Sequence, residues 1–267
     1  MQNAVQKPHR QSDLLDPDRA NAFLVSLDVA HEIGQGDPLP PFFHQLYFWQ
    51  AYPPAHLGRD GHRKVGGIIP DMGLPRRMWA GGRLEFLVPM RAGKMATKTT
   101  TISEKAHKKG RTGPLGFVTL CHEFTQDGRV AVREFQDLVY RQDANRNGPV
   151  QVAAQAPCDE DTCVNRNFDS TLLFRYSALT FNGHRIHYDQ DYTRDVEGYQ
   201  GLVVHGPLLA QLLMLMAKEK LGQLKQFSFR ATSPLMHFEK AAFCWRNDGM
   251  CWVRGPDGRQ CMIAEAA

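Results

Sequence analysis

The sequence contains no Cys-x-x-Cys pair, no His-Glu-x-x-His order and no glycine-rich nucleotide loop behind a strand-like run. These absences remove the common zinc-finger, zinc-protease, P-loop and dinucleotide signatures, so neither a metal nor a redox cofactor is expected. Its six cysteines, at 121, 158, 163, 244, 251 and 261, are scattered and read as reduced thiols, which points to a cytoplasmic location. The longest apolar run, Leu208 to Ala217, is interrupted by Gln211 and is far too short to span a bilayer. No apolar signal segment lies in residues 1–28, and Asp13, Asp16 and Asp18 argue against a transit peptide. The net charge of +4 is too mild to imply nucleic acid, though it suits a small anionic ligand. No nucleic-acid or membrane partner is therefore expected.

What is present reads as a folded globular chain, with 42% hydrophobic and 22% charged residues. A length of 267 residues allows one large domain or two of ordinary size. Residues 142–170 are poor in aromatics and rich in Asn, Asp, Gln and Pro, which predicts a surface linker. The segments on either side look alike. Each has a strand-like run, Leu84 to Pro89 or Phe227 to Pro234, then further strand-like runs and an Asp-Gly-Arg turn at 127–129 or 257–259. Asp-Gly between alternating runs is a strong hairpin signal. The shared order suggests duplication of one α+β unit, with halves at 1–141 and 171–267 joined by the linker.

After Gly206-Pro207 the chain reads LLAQLLMLMAKEKLG. Proline suits the first turn of a helix, Gly222 suits its end, and Lys218 and Lys220 complement the dipole of its last turn. Apolar side chains on every face predict a buried helix. In the first half Pro41 to Trp49 (PFFHQLYFW) is the nearest counterpart, expected as a short aromatic-rich helix.

The most informative stretch is Ser177-Ala-Leu-Thr-Phe-Asn-Gly-His-Arg-Ile-His-Tyr-Asp189, followed by Gly201-Leu-Val-Val-His-Gly-Pro-Leu208. It places titratable groups on a loop beside a helix N-terminus able to polarise a carbonyl. Together with Arg76 to Arg83 and Glu134 to Arg141, it resembles the MaoC-like hydratases and dehydratases, which act on acyl thioesters. The likeness is to the subgroup of mesaconyl-C4-CoA hydratase, itaconyl-CoA hydratase and mitochondrial 3-hydroxyacyl-thioester dehydratase. That resemblance implies a double hotdog: two tandem units, each an antiparallel sheet wrapped around a central helix. It also implies an acyl-CoA or acyl carrier protein thioester as partner, reversible addition of water to a 2-enoyl thioester, and no cofactor. The first half lacks the histidine cluster and reads as a degenerate copy that shapes the substrate tunnel. Exposed sheet edges make a homodimer plausible.

The family pattern of Asp, four residues and His, with Asn and Pro between, falls here on Asn182, His184, Arg185 and His187. Asn182 is a departure, because a carboxamide is no base. With an unperturbed pKa near ~6.5, His187 is the candidate acid–base group. Acting alone it would shuttle one proton between the oxygen at Cβ and Cα on one face, with Asn182 orienting the water. The Gly206 N–H is the candidate oxyanion donor, since Pro207 has none. His184 either braces the loop or takes part, His205 either caps the helix or touches the ligand, and Arg185 is a candidate for a substrate carboxylate. Tyr188 counts with these substrate-side residues, although it and Asp189 read first as hydrogen-bonding supports. The basic run Lys105 to Arg111 reads as a solvated hairpin tip or a contact for ligand phosphates.

Three alternatives stay open. A hotdog thioesterase would want an acidic residue on the central helix, where only Gln211 is polar. A metal hydrolase would use His184 and His187 with Asp189 or His205. A non-catalytic acyl-thioester binding module would follow if Asn182 marks lost activity.

Overall fold

The computed structural model describes residues 7–110, 113–143 and 152–267. Its ten strands form one antiparallel sheet. In chain order they are β1 (His9–Leu14), β2 (Arg76–Phe86), β3 (Met95–Gly110), β4 (Gly113–Gln126), β5 (Arg129–Arg141), β6 (Thr162–Arg166), β7 (Gln226–Ala231), β8 (Ala241–Trp245), β9 (Met250–Arg254) and β10 (Gln260–Ala266). Their spatial order is β1-β3-β4-β5-β2-β7-β10-β9-β8-β6. Read outward from the centre, each half repeats one order: β2-β5-β4-β3-β1 on one side and β7-β10-β9-β8-β6 on the other. The Asp-Gly turns at 127 and 257 occupy the same place in both halves, between β4 and β5 and between β9 and β10.

The halves meet where β2 pairs with β7, Gly82 opposite Phe229. A Cβ on Gly81 would lie 2.5 Å from the Phe229 carbonyl oxygen, and one on Gly82 2.7 Å from that of Phe135. Gly81 thus lets β2 close on β7, and Gly82 lets it close on β5. Strand β4 alternates half-buried and buried residues along nearly its whole length, the period-two pattern of a sheet with one face on a core.

The described residues form four α-helices, α1 (Pro17–Ser26), α2 (Ser170–Thr180), α3 (Gln190–Asp195) and α4 (Gly206–Leu221); α4 packs on β7 to β10, and α1 packs on α2. Helix α4 starts and ends where the sequence places it, with Gly222 at φ 74° as its stop. Leu208, Leu209, Leu212, Leu213 and Met214 are all buried, each worth about 1.5–3 kcal/mol relative to exposure. They join one core with Phe227, Phe243, Trp245 and Met262 of the surrounding strands.

Two expectations change. The predicted helix at 41–49 is one 3-10 turn, Phe43–Leu46. Its aromatic residues pack as a knot around Phe23 and Phe124 and leave no regular apolar stripe to propagate a helix. Part of the predicted linker is ordered sheet: β6 lies within it, and Asp169 caps α2 by accepting the Leu172 N–H at 2.7 Å. Residues 144–151 of that stretch lie outside the described residues. An edge strand with four of its five residues exposed needs no apolar alternation, which is why its composition resembles a loop. Strand β1 and helix α1, capped by Asp16 with Pro17 in the first turn, were not expected at all.

Candidate active site

Helix α2 ends at Phe181, whose left-handed φ of 53° closes the C-terminus and turns the chain sharply. Trp49 of the first half holds that corner, stacking on Phe181 at 5.2 Å and donating its indole N–H to the Leu179 carbonyl. Asn182 follows, and its Oδ1 accepts the His184 N–H at 3.0 Å in an Asx turn. The chain then enters a 3-10 turn, Arg185–His187, which brings His187 under the start of α4.

His187 is buried, and its Nδ1 lies 2.7 Å from the Val203 carbonyl oxygen. A carbonyl only accepts, so Nδ1 carries the proton and Nε2 keeps its lone pair. The ring stacks on His205 at 3.6 Å. Burial, then the charge of His184, pushes the His187 pKa well below the ordinary histidine value. His205 is fully buried, and burial followed by His187 lowers its pKa as well. It makes no side-chain cap for α4. Its Nε2 meets Ser177 Oγ at 2.8 Å, and the ring backs His187. Both rings therefore rest neutral at pH 7.

Beside them opens a cavity of about 470 Å³, between the two halves. Asn182, His184, His187 and Gly206 line it. A Cβ built on Gly206 meets nothing within 4 Å, so the space beyond its backbone is open to a ligand. The first-turn N–H groups of α4, which have no partner within the helix, lie at this wall.

Arg185 and Tyr188 are outside the lining residues. Arg185 pairs with Asp189 at 2.7 Å and stacks over Tyr192, while the Tyr188 hydroxyl donates to the Gly183 carbonyl. Asp189 caps α3 through the Tyr192 N–H and is held below the usual carboxylate range, first by that bond and then by Arg185. His205 is likewise behind the wall and not on it. The run from Lys105 follows the far end of β3, with Lys108 over Phe117, and Arg111 lies outside the described residues.

The opposite wall comes from the first half, partly from the Arg76 to Arg83 segment that carries the family resemblance and partly from a loop without a sequence signature. It carries Arg59, Asp60 and His62 from the loop before β2, and Arg76, Arg77 and Trp79 from β2 itself. Arg76 is paired with Glu197, both nearly buried. Arg77 has no ion-pair partner among the described residues. Burial, then the neighbouring His62 charge, lowers the His184 pKa to about 3. A Gly58-Arg-Asp-Gly-His62 loop offers titratable groups around a turn, and that was the available hint of its role.

Two groups of side chains have the donor types of a metal site. Asp60, His62 and His184 present ligand atoms within 4.8 Å of one another, as do Glu160, Cys163 and Cys244. In the second group Glu160 is already committed to Arg254. The first group differs from the anticipated combination of His184 and His187 with Asp189 or His205, because Asp189 and His205 have the partners described above.

The family profile described as hydroxyacyl-thioester dehydratase type 2 matches residues 42–237. Mesaconyl-C(4)-CoA hydratase of Chloroflexus aurantiacus is 41% identical over 232 residues, covering 85% of this chain and 82% of the relative. The mitochondrial hydroxyacyl-thioester dehydratase type 2 of Schizosaccharomyces pombe is 25% identical over 246 residues, 80% of each chain. A solved Mycobacterium tuberculosis structure described as having a double hotdog fold superposes with a TM-score of 0.60 at 12% identity, over 99% of this chain and 96% of that one. The fold is a double hotdog.

Proposed function

The chain belongs to the hydroxyacyl-thioester dehydratase type 2 family and is an enzyme of that hydro-lyase kind; we propose that it adds water reversibly to a 2-enoyl thioester of coenzyme A with a short branched or dicarboxylic acyl chain. The observation that carries this reading is the pairing of one neutral imidazole, its Nε2 lone pair free, with the open backbone of Gly206 across a cavity between the halves. We assign the catalytic groups to the second half and the shaping of the cavity to the first.

Addition of water needs a nucleophilic oxygen at Cβ, a proton at Cα and a donor for the charge that develops on the thioester oxygen. His187 Nε2 accepts a proton from the water as its oxygen bonds to Cβ. Burial disfavours the resulting imidazolium, so the proton is not retained. Asn182 lines the cavity with Oδ1 engaged by the His184 N–H, which leaves its amide N–H groups to hold the water oxygen. The Gly206 N–H polarises the thioester carbonyl at the positive end of α4.

The lining supports an anionic substrate. Arg59, Arg76, Arg77 and Arg141 outnumber Asp60 and Glu197, and Arg77 is the candidate contact for a second carboxylate on the acyl chain. A thioesterase reading is weakened by Gln211, the polar residue of the apolar stretch of α4. Its amide is tied to the Pro41 carbonyl at 2.8 Å and so is not free to activate water. We also place the protein in a reducing compartment such as the cytoplasm, since all six cysteines are free. A homodimer through β1 or β6, each paired on one side only, is part of the same reading.

The test is loss of conjugated-thioester absorbance with a panel of 2-enoyl-CoA substrates, branched, dicarboxylic and straight. Turnover is expected to be highest with the short dicarboxylic members, and Arg77→Ala is expected to erase that preference. Release of free thiol without hydration would replace this reading with hydrolysis. Asn182→Asp should remain active with a changed pH profile.

A further inference from the structure

The reaction moves two protons, and the second half presents for them His187 Nε2, the His184 ring, whose pKa burial lowers to about 3, and a carboxamide. A carboxylate is nevertheless present at the site, carried by the other half. Asp60 Oδ2 lies 3.1 Å from His62 Nδ1, and Asp60 Oδ1 accepts the His62 N–H at 3.0 Å. The His62 ring sits 4.3 Å from that of His184, which sits 5.3 Å from that of His187. All four residues line the same cavity.

This arrangement is built into the docking of the two halves. The loop closes on itself through Gly58 N–H to His62 O and Lys64 N–H to His56 O. It is stapled to the catalytic loop by Arg185 N–H to Asp60 O at 2.9 Å and by Arg185 Nη1 to Arg59 O at 3.2 Å. Gly61, at φ 83°, approaches so closely that a Cβ there would lie 2.0 Å from the Gly183 carbonyl oxygen. Two glycines thus meet back to back, and their flanking residues face one space. That also gives Arg185 a task other than substrate binding: it holds the first-half loop in place.

We propose that His62 is a second acid–base group of this active site, oriented by Asp60, so that the carboxylate missing at position 182 is supplied by the first half. The inference rests on the hydratase reading above. Burial raises the Asp60 pKa, but the hydrogen bond and charge of His62 outweigh it and hold the carboxyl well below its usual range. A carboxylate only accepts, so His62 Nδ1 carries a proton and Nε2 is the working atom. In the hydration direction a water O–H bond breaks and its proton goes to His187 Nε2 as the oxygen bonds to Cβ. The alkene π pair moves to Cα, which forms a C–H bond with the proton leaving the protonated His62 Nε2. His187 then holds one proton more and His62 one fewer, and exchange with water in the cavity restores both. His62 is the catalytic group, and Asp60 is a positioning residue.

The experiment uses the full chain with the 2-enoyl-CoA panel. His62→Ala is expected to lower kcat by roughly 10²–10⁴-fold, with KM little changed and the alkaline limb of the kcat profile abolished. Added imidazole should restore part of that turnover. Asp60→Asn should lower kcat with KM little changed, because the His62 ring loses the acceptor that orients it, and Asp60→Glu should restore part of that loss. Near-wild-type turnover and an unchanged profile in His62→Ala, alongside an inactive His187→Ala, would overturn this inference and leave the hydratase reading standing. Loss of activity without imidazole rescue or any change in the profile would reduce the pair to a structural prop and equally overturn it. A stoichiometric divalent cation that is lost with His62→Ala, with activity tracking the cation, would make Asp60, His62 and His184 a metal site instead. A wild-type chain inert toward the whole panel would overturn the functional reading, and this inference with it.

Discussion

At the centre of the second half, between β6 and β7, the sixteen residues of α4 fill the core with leucine and methionine. In the first half, the stretch between β1 and β2 holds the ten-residue α1 and two 3-10 turns, Phe43–Leu46 and Pro54–His56, and beside the first of these turns lies a buried polar cluster. There the fully buried Glu134 meets His44 Nε2 at 3.0 Å and the Gln45 amide at 2.8 Å. Burial raises the Glu134 pKa, but His44, His122 and Lys98 outweigh it and keep the carboxyl ionised below its ordinary range. The same strand order therefore tolerates two different centres. The second half gains a helix N-terminus aimed at a cavity. The first half, whose helix α1 is shorter than α4, sends an irregular loop, Arg59 to His62, across to the cavity beside α4.

The largest expected effect that tests this contrast is acid lability. His184, His187 and His205 of the second half and His122 of the first have folded pKa values depressed chiefly by burial, to about 3 for His122 and His184. Below about pH 6.5 the unfolded chain binds protons that the folded chain refuses. Each histidine then removes up to about 1.4 kcal/mol of stability per pH unit as pH falls from there toward its folded value. Denaturant unfolding at pH 7, 6 and 5 should show a steep decline, and hydrogen exchange should place early opening in the second half, which holds three of the four. A flat profile over that range would contradict buried neutral histidines.

Next in size is the catalytic contrast. His187→Ala should lower turnover by roughly 10²–10⁴-fold, with a smaller loss of stability, about 1–3 kcal/mol, because the Val203 carbonyl loses its donor. Glu134→Ala should do the reverse, costing about 3–5 kcal/mol of stability because His44 and Gln45 lose a buried partner. If Glu134→Ala instead abolished turnover in a stably folded protein, the first half would take part in chemistry at a second place.

The smallest effect concerns the join itself. Gln211→Leu leaves the Pro41 carbonyl without its donor and should cost about 1–3 kcal/mol, seen as a lower unfolding midpoint, with the site intact. A large drop in kcat from this change would show that α4 and the first half move together during turnover.

The primary sequence was enough to locate α4 and the duplicated strand order, and it singled out Asn182, His184, His187 and Gly206, which line one cavity. Periodicity, proline and glycine stops and a contiguous loop are local signals, and local signals survive in one dimension. Missed were the one-turn remnant at 43–46, where an aromatic cluster packs without a helical period, and β6, whose exposed edge position leaves no apolar alternation. Nor was the packing around His187 legible. His205 stacks on its ring, and Arg185 hydrogen-bonds a loop more than a hundred residues away in the chain. Asp60 and His62 reach the site only because Gly61 and Gly183 pack backbone to backbone. No periodicity encodes that contact. It is decided where two folded surfaces fit, and only the tertiary structure holds that information.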